Sequence, residues 1–283
     1  MKRVSLFLFL AIALIGCDKD NVVNPTGKAT GKFFVSADKQ VVFSPGNLQY
    51  TQSTNTWSFA EHQYDTIGAA NMMNDSVLAD KIDLFGWSTD NTTAPFGIST
   101  STDEDDYYGD FVDWGTNQIG NDAPNTWRTL TIYEWEYLFQ RTRWTMATVN
   151  NTLGFMLLPD GFKAPKDLTV SILGDGKMLY SSSLSYKETE YTSNVYTATE
   201  FAQLEALGCV FLPCAGYRND YSSSNVYTVG RYGCYWSATP YNSKYESLRY
   251  EYAYGLSFGV SYAETYDYRR YQGQSVRLVR DIK

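Results

Sequence analysis

The chain has 283 residues, with 23 Lys and Arg against 31 Asp and Glu, a net charge of −8, four Cys and a single His. That acidic balance argues against nucleic acid as a partner, because phosphate neutralisation needs a dense basic patch. With His62 alone and no Cys-x-x-Cys there is no zinc-ligand spacing, and four Cys in a chain this long do not make a disulfide scaffold.

Lys2 and Arg3 precede an apolar run from Val4 to Ile15. The run is short for a bilayer span and has the length of a signal-peptide core. It ends in Leu14-Ile15-Gly16-Cys17, which resembles the lipobox of bacterial lipoproteins. That resemblance implies cleavage after residue 16, lipidation of Cys17 and a membrane anchor. Asp18-Lys19-Asp20 is similar to the surface-export tag of some outer-membrane lipoproteins, so the expected location is the outer membrane at the cell surface. The mature chain would hold 267 residues, with 21 basic against 31 acidic side chains and a charge of −10. Residues 17–31, with Asn21, Asn24, Pro25, Thr26 and Gly27, read as the lipidated Cys and a polar tether. The single domain is expected over 32–283.

Val35 to Phe43 reads as a hairpin, two β-rich runs around a polar turn, and 46–50 and 56–59 continue the strand pattern. Residues 88–126 are loop-like, with aromatic anchors Tyr107, Tyr108, Phe111 and Trp114. Within them Asp103-Glu104-Asp105-Asp106, Asp110 and Asp113 offer oxygens to Ca²⁺, but no Gly stands at the sixth position of an EF-hand loop. A solvated loop is the preferred reading, and no metal or other cofactor is expected.

Two helices stand out. Thr131-Ile132-Tyr133-Glu134 is a capping box, followed by Trp135, Leu138 and Phe139 on one face. Thr197-Ala198-Thr199-Glu200 is a second, followed by Phe201, Leu204 and Leu207 and stopped by Gly208. Val210-Phe211-Leu212 suits a buried strand, and the last seventy residues read as all-β. In 256–262 large and small residues alternate, which predicts one packed and one open face. The class is α+β, with two main helices, short twisted antiparallel strands and long loops.

Chemistry finds little purchase in these residues. His62 lacks a Ser or Cys context and reads as structural. Glu134 and Glu136 point to different sides of a helix, and Glu134 already has a capping role. Gly174-Asp175-Gly176-Lys177 is a turn, not a P-loop. Cys209 and Cys214 fall on opposite strand faces and should not bond; a bridge between Cys214 and Cys234 stays open.

Residues 217–271 hold fourteen of the 24 tyrosines, interleaved with Ser, Asn, Asp, Arg and Gly. Tyr offers large rigid amphipathic area at small entropy cost, and Ser, Gly and Asn offer adaptable hydrogen bonding, as in antibody paratopes. From Tyr217 onward nine basic side chains meet six acidic ones, a charge of +3, whereas 17–216 carries −13.

The phrases Trp127 to Leu138, Gly233 to Thr239 and Gly273 to Val279 resemble the formylglycine-generating-enzyme-like branch of the C-type lectin fold. More narrowly the chain is similar to the variable proteins of diversity-generating retroelements. That resemblance covers residues 32–283 and implies a C-type lectin-like domain displaying a hypermutated ligand-binding face. The displayed set would be Tyr221, Tyr232, Cys234, Tyr241, Tyr245, Arg249, Glu251, Tyr254, Tyr266, Asp267, Tyr268 and Tyr271, over a scaffold of Trp236, Leu248, Leu256, Val276 and Leu278. The expected partner is a protein or glycan at the cell exterior. The enzyme members place paired cysteines near the closing strand, and Val276 to Val279 has none, so no catalytic residue is assigned. The lectin Ca²⁺ motifs are also missing. An oxidase relative or a fibre subunit are the alternatives.

Overall fold

The computed structural model describes residues 22–23, 29–74, 77–87, 97–99, 107–175, 183–219 and 225–282. The predicted signal peptide (1–16), the lipidation residue Cys17 and the acidic run 103–106 lie outside the described residues. Of the predicted tether, Val22–Val23 pairs with Ala29–Thr30. No helix among the described residues is long and apolar enough to cross a membrane.

The molecule is α+β and mostly strand. β1 (Phe33–Phe34) pairs antiparallel with β2 (Gln40–Phe43), so a hairpin is present, but its first strand precedes the predicted 35–43 span: Val35 lies in the turn, where its amide donates to the Lys39 carbonyl at 2.9 Å. β3 (Leu48–Thr51) pairs with β4 (Thr56–Phe59). Helix α1 (Ile132–Arg141) starts on the Thr131–Glu134 capping box and buries Trp135, Leu138 and Phe139, as its spacing predicts. β5 (Arg143–Val149) and β6 (Thr152–Leu158) are joined by Asn150-Asn151, both at positive φ, the requirement of a two-residue type I′ hairpin.

Helix α2 (Ala198–Ala206) starts on the Thr197–Glu200 box and buries Phe201 and Leu204. Leu207 departs from expectation. It forms the helix cap and is 47% exposed, because Gly208 at φ +89 turns the chain before another helical turn completes. β7 (Val210–Pro213) then adds to β6, fully buried. The β5–β6–β7 sheet is covered on both sides. Trp144, Met146, Phe155 and Leu157 face α1, while Ala147, Val149, Met156 and Leu158 join Phe201 and Leu204 of α2.

The C-terminal part is a meander of β8 (Tyr232–Pro240), β9 (Tyr252–Gly259) and β10 (Tyr262–Arg269), with Ser183–Ser185 beside β10. Helix α3 (Glu246–Glu251) interrupts it, which corrects the all-β expectation. The alternation in 256–262 also misleads, since Leu256, Ser257, Phe258 and Gly259 are all buried. β9 is the central strand of three, so its small residues lie beneath neighbouring side chains and not in water. Finally β11 (Val279–Asp281) pairs with β2 and ties the two ends of the domain together.

One buried carboxylate sits in this frame. Asp83 is fully buried; its Oδ2 accepts from the Ile67 amide at 2.9 Å and its Oδ1 from Asn71 Nδ2 at 2.8 Å. Burial outweighs those donors and pushes its pKa up to about 6. The folded chain therefore holds this proton to higher pH than the unfolded chain. Its contribution to stability is full below the unfolded pKa and is lost as pH rises through about 6. In urea unfolding, the stability of wild type relative to Asp83→Asn should fall across that window. A difference that rises with pH, or stays flat, would contradict the assignment.

Candidate ligand-binding face

Strand pairing sorts the tyrosine-rich segment onto two sides of one sheet. Directly opposed residues share a face. Gly233, Phe258 and Ala263 form one row, and Tyr235, Leu256 and Thr265 the next. These rows pack against α1, with Tyr235, Leu256, Phe258 and Ala263 all inside the main core. The opposite side carries Tyr232 across from Gly259, Cys234 with Ser257 and Glu264, Trp236 with Gly255 and Tyr266, and Ala253 with Tyr268.

That second side is the candidate face. Its floor is small and buried. Cys234 is 4% exposed, and its Sγ lies 3.9 Å from Ser257 Oγ. Ser257 Oγ in turn lies 3.0 Å from the Tyr262 hydroxyl. Phenols rise around this floor. The Tyr232 and Tyr262 rings meet edge to face at 5.6 Å, and Tyr266 and Tyr268 do so at 5.7 Å. Gly259 makes room for the first pair, because a Cβ there would run into the Tyr232 ring. Tyr268 leans on Trp236 at 6.2 Å, which fixes it to a second, aromatic core that also holds Trp57, Phe85, Trp87 and Trp114.

Electrostatics follow from this packing. Burial, partly offset by the Ser257 hydrogen bond, drives Tyr262 up to about 12, and nearby Cys234, Tyr232 and Glu264 add to the rise. Tyr268 is pushed further up, chiefly by burial. The Gly216 amide donates to the Tyr232 carbonyl at 2.8 Å and Gly216 bridges to Gly233, which sets Tyr217 beside β8; burial raises its pKa, with Cys234, Tyr227 and Tyr232 adding to the rise. These phenols stay neutral at physiological pH and act as hydrogen-bonding groups on an aromatic wall.

The predicted residues divide accordingly. Tyr232, Tyr266 and Tyr268 share the candidate face, with Tyr266 55% exposed. Tyr254 and Asp267 lie on the other side of the sheet, at the end beyond the core rows. There Tyr241 packs against Tyr252 and Tyr254 at 6.0 and 5.3 Å. Glu251 sits 3.8 Å from Arg269, whose guanidinium covers the Tyr252 ring. Tyr245 caps α3 and is 59% exposed; Arg249 lies within α3 and is exposed. Tyr221 lies outside the described residues.

Two members are corrected. Cys234 is floor and not surface, because the phenols cover it. Tyr271 is 6% exposed and shares a small buried cluster with Tyr107. The preceding Arg270 is buried as well. Arg270 is 2% exposed and lies 4.2 Å from the Trp87 ring, and its guanidinium donates to the carbonyls of Tyr107, Gly109, Arg249 and Tyr252. Of the predicted scaffold, Trp236, Leu256, Val276 and Leu278 are buried, whereas Leu248 is only half-buried. Tyr217, Ser257, Tyr262 and Glu264 were absent from the predicted set. The period-two run Tyr262, Glu264, Tyr266, Tyr268 was the signal that places Tyr262 and Glu264 with Tyr266.

Cys209, Cys214 and Cys234 are free and buried, so no bridge joins the last two. Burial raises all three thiols, Cys234 to about 12. No cluster of His, Cys, Asp or Glu suited to a metal occurs among the described residues. The candidate Asp113 is committed elsewhere: its Oδ1 accepts from the Gly115 amide at 2.9 Å and its Oδ2 from the Thr129 amide at 2.8 Å.

Residues 178–279 match a family described as a domain of unknown function (DUF8237). The matched stretch contains α2, β7 and the entire β8–β9–β10 meander, so it coincides with the candidate face and its support. No curated protein and no solved structure matches the chain.

Two outcomes are expected. Tyr266→Ala should change stability by no more than about 0.5 kcal/mol, and Tyr271→Ala should cost about 3 kcal/mol or more in chemical unfolding. Equal costs would contradict the division into surface and core. In native protein the three thiols should resist alkylation at neutral pH, since the thiolate is the reactive form; rapid labelling of Cys234 would show an open floor.

Proposed function

We propose that the chain is a surface-anchored receptor- or adhesin-like protein that binds a protein or glycan through the phenol-lined side of the β8–β9–β10 sheet. The scaffold is C-type lectin-like, similar to the variable proteins of diversity-generating retroelements, and Cys17 carries the lipid that holds it at the outer membrane. The observation that carries the proposal is the contrast across the sheet. One side is buried in the main core; on the other, beyond the end where Trp236 and Ala253 join a second core, Tyr217, Tyr232, Tyr262, Tyr266 and Tyr268 stand around Cys234, Ser257 and Gly259.

Supporting it, the segments that carry the family resemblance sit where a scaffold needs them. The capping box starts α1, Gly233–Thr239 lies within β8, and Val276 and Leu278 are buried. Display suits binding better than catalysis here. Burial raises the Tyr217, Tyr262 and Tyr268 phenols, the thiols are raised and covered, and the closing phrase has no cysteine. The oxidase reading therefore finds no nucleophile on this face. Variation in ligand would come from substitution at the phenol positions, with the floor left intact.

A glycan array and a displayed peptide library, probed with the purified protein, should each be screened for saturable ligands. Binding of any ligand found should weaken at least about tenfold in Tyr232→Ala/Tyr266→Ala, with the melting temperature preserved. A ligand held equally well by the double variant would overturn the proposal.

A further inference from the structure

A second concavity lies away from the tyrosine sheet and outside residues 178–279. It has a volume of about 540 Å³, within the roughly 300–1,000 Å³ of small-molecule sites. Pro45, Phe59, Ala60 and Ile119 give it an apolar floor. The turn at 119–122 forms one rim, held by the Gly120 amide donating to the Trp57 carbonyl at 2.9 Å. Residues 58–62 form the other, and the Ala60 amide donates to the Asn47 carbonyl at 2.8 Å. Both rims are therefore pinned to the β3–β4 hairpin and its approach.

Its charge is one-sided. Glu61 and Asp122 stand on opposite rims, and neither Lys nor Arg lines the cavity. Asp122 is held in place by Trp127, whose Nε1 donates to Oδ2 at 2.8 Å. Trp127 packs edge to face on Phe59 at 5.3 Å, so the same indole supports the acid and the floor. His62 does not cancel the charge. Its Nδ1 lies 3.1 Å from Asp65 Oδ2, and its ring stacks on Tyr64 at 5.0 Å. That accounts for His62 as a wall residue turned towards its own carboxylate partner.

We propose that this cavity binds a small organic cation: an ammonium or guanidinium group on a short apolar or aromatic body. The apolar floor takes the body, and Glu61 and Asp122 take the charge. The strongly acidic 17–216 segment, at −13, would favour cation approach from solution. The basic end of a peptide side chain has this chemistry, as does a free amine.

Three probes of one shape separate the contributions: benzylamine, benzyl alcohol and benzoate. Binding is read from the indole N–H resonance of Trp127 in the full-length mature protein. Benzylamine should shift that resonance saturably, at least about tenfold more tightly than benzyl alcohol, and benzoate should not bind. Raising the salt concentration should weaken benzylamine binding. Glu61→Gln should reduce its affinity several-fold, and Ser58→Phe, which fills the cavity from an accessible strand position, should abolish it. Equal binding of amine and alcohol would overturn the assignment of ligand charge. A benzylamine shift that is absent, or that survives Ser58→Phe, would overturn the site itself. Neither result bears on the tyrosine sheet, whose ligand binding is tested separately.

Discussion

The segment Gly273–Val279 holds the molecule together, because its backbone is bonded to five separate parts of the chain. Gly273 exchanges both amide bonds with Arg218, and Gln274 does the same with Phe85. Ser275 donates to Cys234 and accepts from Trp236, which ties the segment to β8. Val276 and Leu278 accept from Leu48 and Ser44, and Val279 exchanges bonds with Arg128. Every residue of the stretch is buried. A buried backbone group without a partner is costly, so this segment cannot shift without disturbing the terminal hairpin, the aromatic core and β8 together. The candidate face inherits its rigidity from that constraint.

Rigidity on one side leaves freedom on the other. The core rows Tyr235, Leu256 and Phe258 fix the sheet from beneath, and Trp144, Phe155 and Phe258 continue that contact ring to ring towards β5 and β6. The phenols opposite contribute less to that core. Tyr266 is largely in solvent, whereas Tyr268 is anchored by Trp236. A graded surface results: exposed phenols at the edge, half-buried ones inward, and a covered thiol and hydroxyl at the floor. Tyr266, at the edge, can therefore be changed with little effect on the core.

Much of this was legible in the sequence wherever a local rule decides. Both capping boxes and the apolar face of α1 depend on residues three and four apart, and they stand as spacing predicts. The buried strand 210–212 was equally plain, whereas of the hairpin read over 35–43 only the turn and the second strand fell inside the span. What escaped depends on neighbours far along the chain. Arg277, between Val276 and Leu278, was assigned no place, yet it is 1% exposed, with its guanidinium donating to Gln63 Oε1 and the Phe211 carbonyl. Tyr271 reads like the tyrosines around it, yet it is buried in a cluster with Tyr107. Composition marked residues 217–271 as unusual, but the side of the sheet taken by each tyrosine follows from register, which composition does not encode.

Selective nitration of tyrosine, mapped by mass spectrometry on the native protein, tests the central claim most directly. The account predicts fast modification of Tyr245 and Tyr266, slower reaction at Tyr262 and Tyr268, and protection of Tyr235 and Tyr271 until unfolding. Early nitration of Tyr235, or protection of Tyr266 in the absence of ligand, would mean that the sheet presents its other side to solvent and would contradict the account.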